Sequence, residues 1–405
     1  MLETSDVYLL CPTCQERRPL GPEIHGCPAC KARGRTSALE VGYSTTAADL
    51  DDRSRPGLWR WRGLLPPVEA EQIVSLYEGH TPLLPVKAWG GAARLFVKNE
   101  TMNPTWSYKD RAASVSITMA RWFGYSRTLA ISTGNLGNAV SAYSAAAGLH
   151  CAIFCNAKAP DLQLAMMEHY GSRVFRGGDQ NALARKLVER GGWYPATVIC
   201  PRDGFGNPYG IEGFKTIAFE IFEQLEGRVP DRVFAPAGSG DGLYGIWKGF
   251  RELHHLGIAK TLPRMFACQA SGADCYVRAV RSRSRKLTAL PSVSTAALSI
   301  AEKIGGELTL GALYQSQGDA IAVSDAEMFD AVHALSRVGL ALEPASAASF
   351  AVARALGAET GAGETWVAIG TGAAVKWPRD ITDRFTMPDE LPGDFSNIDE
   401  LLPEA

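Results

Sequence analysis

The sequence predicts an α/β fold built on parallel sheets, and three observations carry that prediction. From about residue 85, short apolar runs alternate with amphipathic stretches of helical length. Several of the runs end in turns rich in Gly, Asn or Ser, where a strand hands over to a helix. The spacing between successive runs leaves room for a right-handed helical crossover. At about 150 residues per domain, 405 residues allow roughly two or three domains.

The elements follow in order. Residues 1–52 form a distinct cysteine-bearing segment, and Asp51 to Gly57 a linker. Thr128–Ile131 reads as a strand, followed across Gly134 and Asn135 by a helix; the apolar stretch from Ala139 to Ala157 is a buried helix and then a buried strand. Within it Cys151–Cys155 is the strand, and Leu162–Tyr170 is the next helix. Arg173–Phe175 is a strand with a helix running through Val188, and Ala196–Cys200 a strand with a helix over Gly213–Leu225. Arg232–Ala235 is a strand that leads through a Gly-rich turn into a helix ending near Leu256. Ser324-Asp325-Ala326-Glu327 is a capping box for a helix that reaches about Val338 and stops at Gly339, and Trp366–Ile369 is the last strand.

Composition narrows the partners. Lys+Arg is 41 against Asp+Glu 43, so no net field favours nucleic acid or an anionic membrane, and the basic run Arg281–Lys286 reads as a solvated loop. The start, Met1 to Asp6, lacks the basic region of a secretory signal, and no run of about 18 apolar residues is present. Of nine cysteines, four sit in paired CxxC form and the others fall mostly in apolar runs, which suits a reducing cytoplasm.

Four turns carry the chemistry. Asn103-Pro104-Thr105-Trp106-Ser107-Tyr108-Lys109-Asp110-Arg111 presents a lysine at a helix start, where burial is expected to lower its pKa and free it for a Schiff base. Ser132-Thr133-Gly134-Asn135 joins a strand to a helix, and backbone N–H groups there can bind a carboxylate. Pro236 to Leu243 holds Gly238, Ser239, Gly240, Asp241 and Gly242, and its glycines allow backbone to fold around a phosphate. Asp241 is out of place beside a phosphate and must point away or bond a hydroxyl. Gly370-Thr371-Gly372-Ala373-Ala374 follows the last strand and offers a hydroxyl to a pyridine nitrogen.

Order and spacing together resemble the fold-type II pyridoxal-phosphate enzymes, and the threonine synthase branch most closely. That branch carries NPTGSFKDR, SSGN, a PxGNGGN loop and TGHGLK, which match Asn103–Arg111, Ser132–Asn135, Pro236–Gly242 and Thr371–Lys376. Gly79–Leu83, Asn207–Thr216 and Glu343–Ala347 match its GxTPL, NPYRIEGQKT and EPASA segments. The resemblance implies a two-domain fold with the cofactor in the cleft, and we assign 53–101 with 201–405 to a large domain and 102–200 to a small one. It implies that Lys109 carries pyridoxal phosphate and serves as base for the Cα proton. It also implies that Asn135 bonds the ring O3′, Gly238–Gly242 hold the phosphate and Thr371 faces the ring nitrogen. A neutral hydroxyl there suits elimination and replacement. An amino-acid substrate, handled as a Schiff base, and a homodimer are expected. Threonine synthase proper and a serine/threonine dehydratase-like lyase are the alternatives within this chemistry. A cofactor-binding regulator and a zinc-ribbon nucleic-acid binder are alternatives outside it, opposed by intact Lys109, Asn135 and Thr371 and by the neutral charge.

The sequence departs from that branch where a substrate phosphate would be held. Leu136 stands for Thr, Gly210 for Arg, Gly242 for Asn, Phe205 for Ser and Trp106 for Gly. A less anionic substrate is expected, contacted by Ser132, Thr133, Asn135, Leu136, Trp106 and Phe205. Finally, Cys11-x-x-Cys14 and Cys27-x-x-Cys30 have the spacing of a four-thiolate structural zinc site, the alternative being a reduced relic ribbon.

Overall fold

The computed structural model describes residues 6–23, 26–35, 37–44, 51–55, 57–87, 89–196, 207–357, 361–379 and 383. In chain order it begins with β1 (Val7–Leu10), β2 (Arg17–Pro19), α1 (Pro28–Ala32) and β3 (Glu40–Tyr43). These are followed by β4 (Leu83–Pro85), β5 (Arg94–Asn99), α2 (Lys109–Trp122), β6 (Arg127–Ile131), α3 (Asn135–Ala146) and β7 (His150–Cys155). Next come α4 (Asp161–His169), β8 (Arg173–Arg176), α5 (Gln180–Glu189), β9 (Tyr194–Pro195), α6 (Pro208–Gln224), β10 (Arg232–Pro236) and α7 (Asp241–His255). The chain closes with β11 (Arg264–Ala270), α8 (Cys275–Arg281), α9 (Glu307–Gln315), β12 (Asp319–Val323), α10 (Asp325–Ser336), α11 (Pro344–Gly357) and β13 (Thr365–Gly370).

The described residues form three sheets. The first three strands make an antiparallel ribbon in the order β2-β1-β3. A six-stranded sheet runs β12-β11-β10-β13-β5-β4, parallel except for β4 at its edge. A four-stranded parallel sheet runs β8-β7-β6-β9. Central strands of the large sheet are covered on both faces, which is why β10 and β13 read as unbroken apolar runs and are buried throughout. The chain leaves the large sheet after β5 and returns at β10. Among the described residues no helix is long and apolar enough to cross a membrane.

The expected strands and helices are present with shifted ends. The capping box forms, with the Ser324 hydroxyl accepting from the Glu327 N–H and the Glu327 carboxylate accepting from the Ser324 N–H. Helix α6 starts five residues earlier than Gly213. Asn207 caps it by accepting from the Tyr209 N–H at 2.9 Å, and Pro208 occupies the first turn. Gly213 belongs inside that helix because a Cβ there would lie 2.0 Å from the Arg111 carbonyl oxygen. The strand expected at Ala196–Cys200 is instead Tyr194–Pro195, and 197–200 lie outside the described residues.

Helix α2 is held from beneath by a buried ion network. Arg111 donates to Glu100 at 2.7 and 2.8 Å, to Glu220 at 2.7 and 2.8 Å and to Thr216 at 2.9 Å, and Lys98 donates to Glu220 at 2.6 Å. Removing the cation would leave two carboxylates in the core without their chief partner. Arg111→Met is therefore expected to lower the unfolding free energy by about 3–5 kcal/mol, measured as a shift of the urea midpoint. A change below about 1 kcal/mol, the range of exposed pairs, would show that the network does not anchor α2.

The ribbon is not a free appendage. Its Val7, Leu9, Leu39 and Val41 share one apolar core with Val115 and Met119 of α2 and Tyr209 of α6. The Tyr209 hydroxyl donates to the Gly21 carbonyl at 2.5 Å and accepts from the Gly21 N–H at 3.1 Å. From β3, Tyr43 donates to Glu212 at 2.6 Å, while Glu40 accepts from Tyr244 and from Arg251 of α7.

Candidate active site

The first turns of α2, α3 and α7 and the end of β13 are stitched together around Lys109. The turn before Lys109 pairs with the segment after β13: Ser107 bridges Gly372, and the Tyr108 N–H donates to the Thr371 carbonyl at 2.9 Å. Lys109 is the first residue of α2, with Nζ 5.0 Å from the Tyr108 ring centroid and 5.3 Å from that of Phe214. Burial, the largest influence, pulls its amine down, but Tyr108, Asp241 and Glu302 together outweigh it and hold the pKa above the ordinary lysine value. The expected lowering is thus corrected. Desolvation was read rightly, but the surrounding hydroxyl and carboxylates were not.

Asn135 opens α3, with Gly134 and not itself in the capping position. Its amide donates to the two Glu343 oxygens at 3.0 and 2.9 Å and to Ser299 at 3.4 Å, while its Oδ1 is buried without a partner. The Ser132 hydroxyl accepts from the N–H groups of Gly134 and Gly137 at 3.3 and 2.9 Å, so it fixes the turn. Thr133 is half-buried beside it. Leu136 packs against the apolar cluster that includes Ala139 and Ile153, which ties it to the core of the small sheet.

The glycine turn between β10 and α7 is tight for a physical reason at each glycine. Gly240 has φ +92°, and a Cβ there would lie 2.5 Å from Thr309 Oγ1; at Gly242 it would lie 2.4 Å from Tyr108 Cε2. The Gly306 N–H and the Tyr276 hydroxyl donate to the Ser239 carbonyl at 2.8 and 2.6 Å. Among the described residues, none accepts from the N–H of Gly238, Ser239 or Gly240. Asp241 occupies the first turn of α7, where the helix dipole favours a negative charge. It also acts on Lys109, which accounts for a carboxylate that the sequence alone left unexplained.

Thr371 is buried, and its hydroxyl pairs with Ser346 at 2.7 Å. Ser346 also accepts from the Gly372 N–H at 2.7 Å. Trp106 stands at φ +59° with 42% of its surface exposed. A left-handed backbone costs a tryptophan ~1–2 kcal/mol that a glycine would not incur. Phe205 lies outside the described residues.

Several residues of this region went unassigned in the sequence. Glu343 accepts from Asn135 and from the Trp377 indole, and both it and Ser346 lie in the matched EPASA segment, which was the available signal. Lys376 donates to the Thr105 carbonyl at 2.6 Å; burial brings its amine down to about 8, with Glu343 and Asp110 opposing. Burial pushes Asp110 up to about 7 although Thr105 donates to it twice, at 2.6 and 2.8 Å. Glu302 sits in a segment that no motif covers.

Residues 74–372 match the family described as Pyridoxal-phosphate dependent enzyme. The chain belongs to that family. This pyridoxal-phosphate enzyme is also 34% identical to a threonine synthase of Methanosarcina acetivorans, over 98% of each chain. It is 36% identical to a threonine synthase of Methanocaldococcus jannaschii, over 86% of its own length and 87% of the relative's. Among solved structures it resembles maize serine racemase at TM-score 0.61 and 21% identity, covering 74% of this chain and 90% of that one. A fungal L-serine ammonia-lyase from Rhizomucor miehei matches at TM-score 0.62 and 22% identity, covering 72% and 93%. The enzyme is a lyase or synthase of the threonine synthase and dehydratase type with the fold-type II architecture.

The residues present fit pyridoxal phosphate. The free N–H groups of Gly238, Ser239 and Gly240 form an anion cradle that a Cβ would obstruct, since at Gly238 it would come within 3.0 Å of Glu302 Cγ. The Asn135 amide N–H, which reaches Ser299 only at 3.4 Å, and the Thr371 hydroxyl are donors suited to a ring oxygen and a ring nitrogen. In the ribbon, the sulfurs of Cys11, Cys14, Cys27 and Cys30 lie within 4.8 Å of one another, with the 11–30 and 14–27 pairs at 3.7 Å. A tetrahedron with Zn–S bonds of about 2.3 Å has edges of about 3.8 Å.

Proposed function

We propose that this enzyme performs β- or γ-elimination or replacement on an amino acid that carries no phosphate. The observation that carries the reading is the glycine turn. Gly242 lies so close to Tyr108 that the asparagine of the threonine synthase branch would not fit unless the ring moved. Asp241 beside it adds negative charge where a second phosphate would need donors. Gly210, which stands for the branch's arginine, offers no side chain toward an anion.

In this reading Lys109 is the Schiff-base residue and the base that takes the Cα proton. Bound pyridoxal phosphate supplies the electron sink for the charge left at Cα. Gly238–Gly242 hold the cofactor phosphate, and the Asn135 amide orients the ring oxygen. Thr371, buttressed by Ser346, meets the ring nitrogen as a neutral hydroxyl. Ser132 and Thr133 shape the turn that receives the substrate carboxylate, flanked by Leu136, Trp106 and Phe205. We assign 53–101 with 201–405 to the large domain and 102–200 to the small one. The sheets support this division, since the four-stranded one draws only on 127–195. A homodimer and a cytoplasmic location complete the reading, the latter supported by the unpaired, mostly buried cysteines among the described residues. Titrating the holoenzyme with single amino acids and following the visible band of the cofactor tests it. A shift with O-phosphohomoserine alone would overturn it.

The four ribbon thiolates are proposed to bind one structural zinc per chain, supported by their near-tetrahedral spacing. Elemental analysis of protein purified without chelator is expected to give one zinc, and a chelator strong enough to remove it is expected to lower the melting temperature. Metal-free protein with four titratable thiols and unchanged stability would favour a ribbon held by packing alone.

A further inference from the structure

We propose that Glu343 is the positioning residue that makes Asn135 a hydrogen-bond donor toward the cofactor, given the reading in which the Asn135 amide meets the ring oxygen of pyridoxal phosphate. An asparagine side chain has an N–H end and an oxygen end of nearly the same shape, so a rotation of the amide would swap donor for acceptor. A neighbouring carboxylate removes that freedom, because an ionised carboxylate only accepts. Asn135 Nδ2 lies 3.0 and 2.9 Å from the two Glu343 oxygens, and both residues are buried. Turning the amide over would put its oxygen against that carboxylate. The Asn135 Oδ1 instead faces protein without a partner, an unpaired acceptor tolerated because the bonds to a carboxylate are charge-assisted. Nδ2 carries two hydrogens. The near-equal distances to Glu343 fit one hydrogen shared between its oxygens, and the other has only Ser299, at 3.4 Å, among the described residues. That second hydrogen is the one left for a ring oxygen.

Glu343 is itself held in place. One of its oxygens accepts from the Trp377 indole N–H, and its backbone N–H donates to the Gly372 carbonyl at 3.1 Å. A Cβ at Gly372 would lie 3.0 Å from both Asn135 Nδ2 and a Glu343 oxygen, so glycine there leaves the pair undisturbed. The Trp377 ring packs against Gly134, 3.2 Å from where a Cβ would stand. Glu343 immediately precedes α11, and Ser346 stands in the first turn of that helix. Ser346 meets the Thr371 hydroxyl at 2.7 Å. The start of one helix therefore backs both groups proposed for the ring, Asn135 at its oxygen and Thr371 at its nitrogen.

A double-mutant cycle tests this on the whole protein. Holoenzyme of wild type, Asn135→Ala, Glu343→Gln, Glu343→Asp and the Asn135→Ala, Glu343→Gln double variant is stripped with hydroxylamine. Pyridoxal phosphate is then titrated back, and its dissociation constant is read from the visible band. Asn135→Ala is expected to weaken binding about 10- to 100-fold, the range of a bond to a charged group. Glu343→Gln can offer its own N–H end to Asn135, so the amide turns over, and a loss of similar size is expected. Glu343→Asp keeps an acceptor-only group and is expected to recover part of it. In the Asn135→Ala background Glu343→Gln should weaken binding no further, because its effect runs through the missing amide. Losses that multiply, or Glu343→Gln at wild-type affinity, overturn the role of Glu343. Trp377→Phe supplies a second cycle where Glu343→Gln does not fold: a smaller loss that disappears in the Asn135→Ala background supports the role, and an equal loss in both backgrounds overturns it. Wild-type affinity in Asn135→Ala overturns the reading of Asn135 itself, and the role of Glu343 with it.

Discussion

Lys109→Ala is expected to abolish cofactor attachment while leaving the fold in place. The substitution removes the only bond-forming amine at the start of α2, yet Lys109 contributes no hydrogen bond to the ion network that anchors the helix. Arg111, Glu100 and Glu220 supply that. Borohydride treatment of wild-type holoenzyme should fix a pyridoxyl label on the peptide containing Lys109, and the variant should show neither label nor the visible Schiff-base band. Far-ultraviolet circular dichroism should be unchanged. A label on Lys98, Lys215 or Lys376 instead would remove Lys109 from its role.

O-Phosphohomoserine is expected to be a poor substrate. The threonine synthase branch places donors where this chain has Leu136, Gly210 and Gly242. Losing two charge-assisted contacts of about 1.5–3 kcal/mol each would weaken binding by roughly two to four orders of magnitude. Threonine formation is to be measured in wild type beside a Gly210→Arg, Leu136→Thr double variant. Position 210 tolerates the change sterically at its base, since a Cβ there meets the Ala112 methyl at an ordinary 3.5 Å. Activity that appears only in the variant would show that the reaction centre is intact and that phosphate recognition is what differs. Efficient threonine production by wild type would restore the threonine synthase reading for this chain, in keeping with its 34% identical relative.

The turns were legible in the sequence because each is made of small residues at a strand end, where a contiguous motif records the local geometry. Lys109, Asn135 and Thr371 are such cases, and the parallel strands were legible because burial on both faces leaves continuous apolar runs. What was not legible arises between segments far apart in sequence. The pKa of Lys109 depends on Asp241 and Glu302, which lie more than a hundred residues away, and no local pattern announces their charge beside it. Glu302 stands in an irregular stretch with neither helical nor strand period. The start of α6 was misread because Gly210 and Gly213 look like breaks, whereas Gly213 lets α6 lie closely against α2.

The docking of the ribbon has a consequence for how the molecule assembles. Glu40 meets Tyr244 and Arg251 across 204 and 211 residues of chain, and Gly21 meets Tyr209 across 188. A ribosome therefore delivers the ribbon long before the helices that cover it. Its apolar flank, with Val7, Leu9, Leu39 and Val41, must wait in water until α2 and α6 have emerged. Contacts of such long sequence separation form late and slowly, and surface left open in the interval is open to wrong partners. Metal held by the four thiolates would give the nascent ribbon a shape of its own during that wait, before any of its neighbours exists to template it.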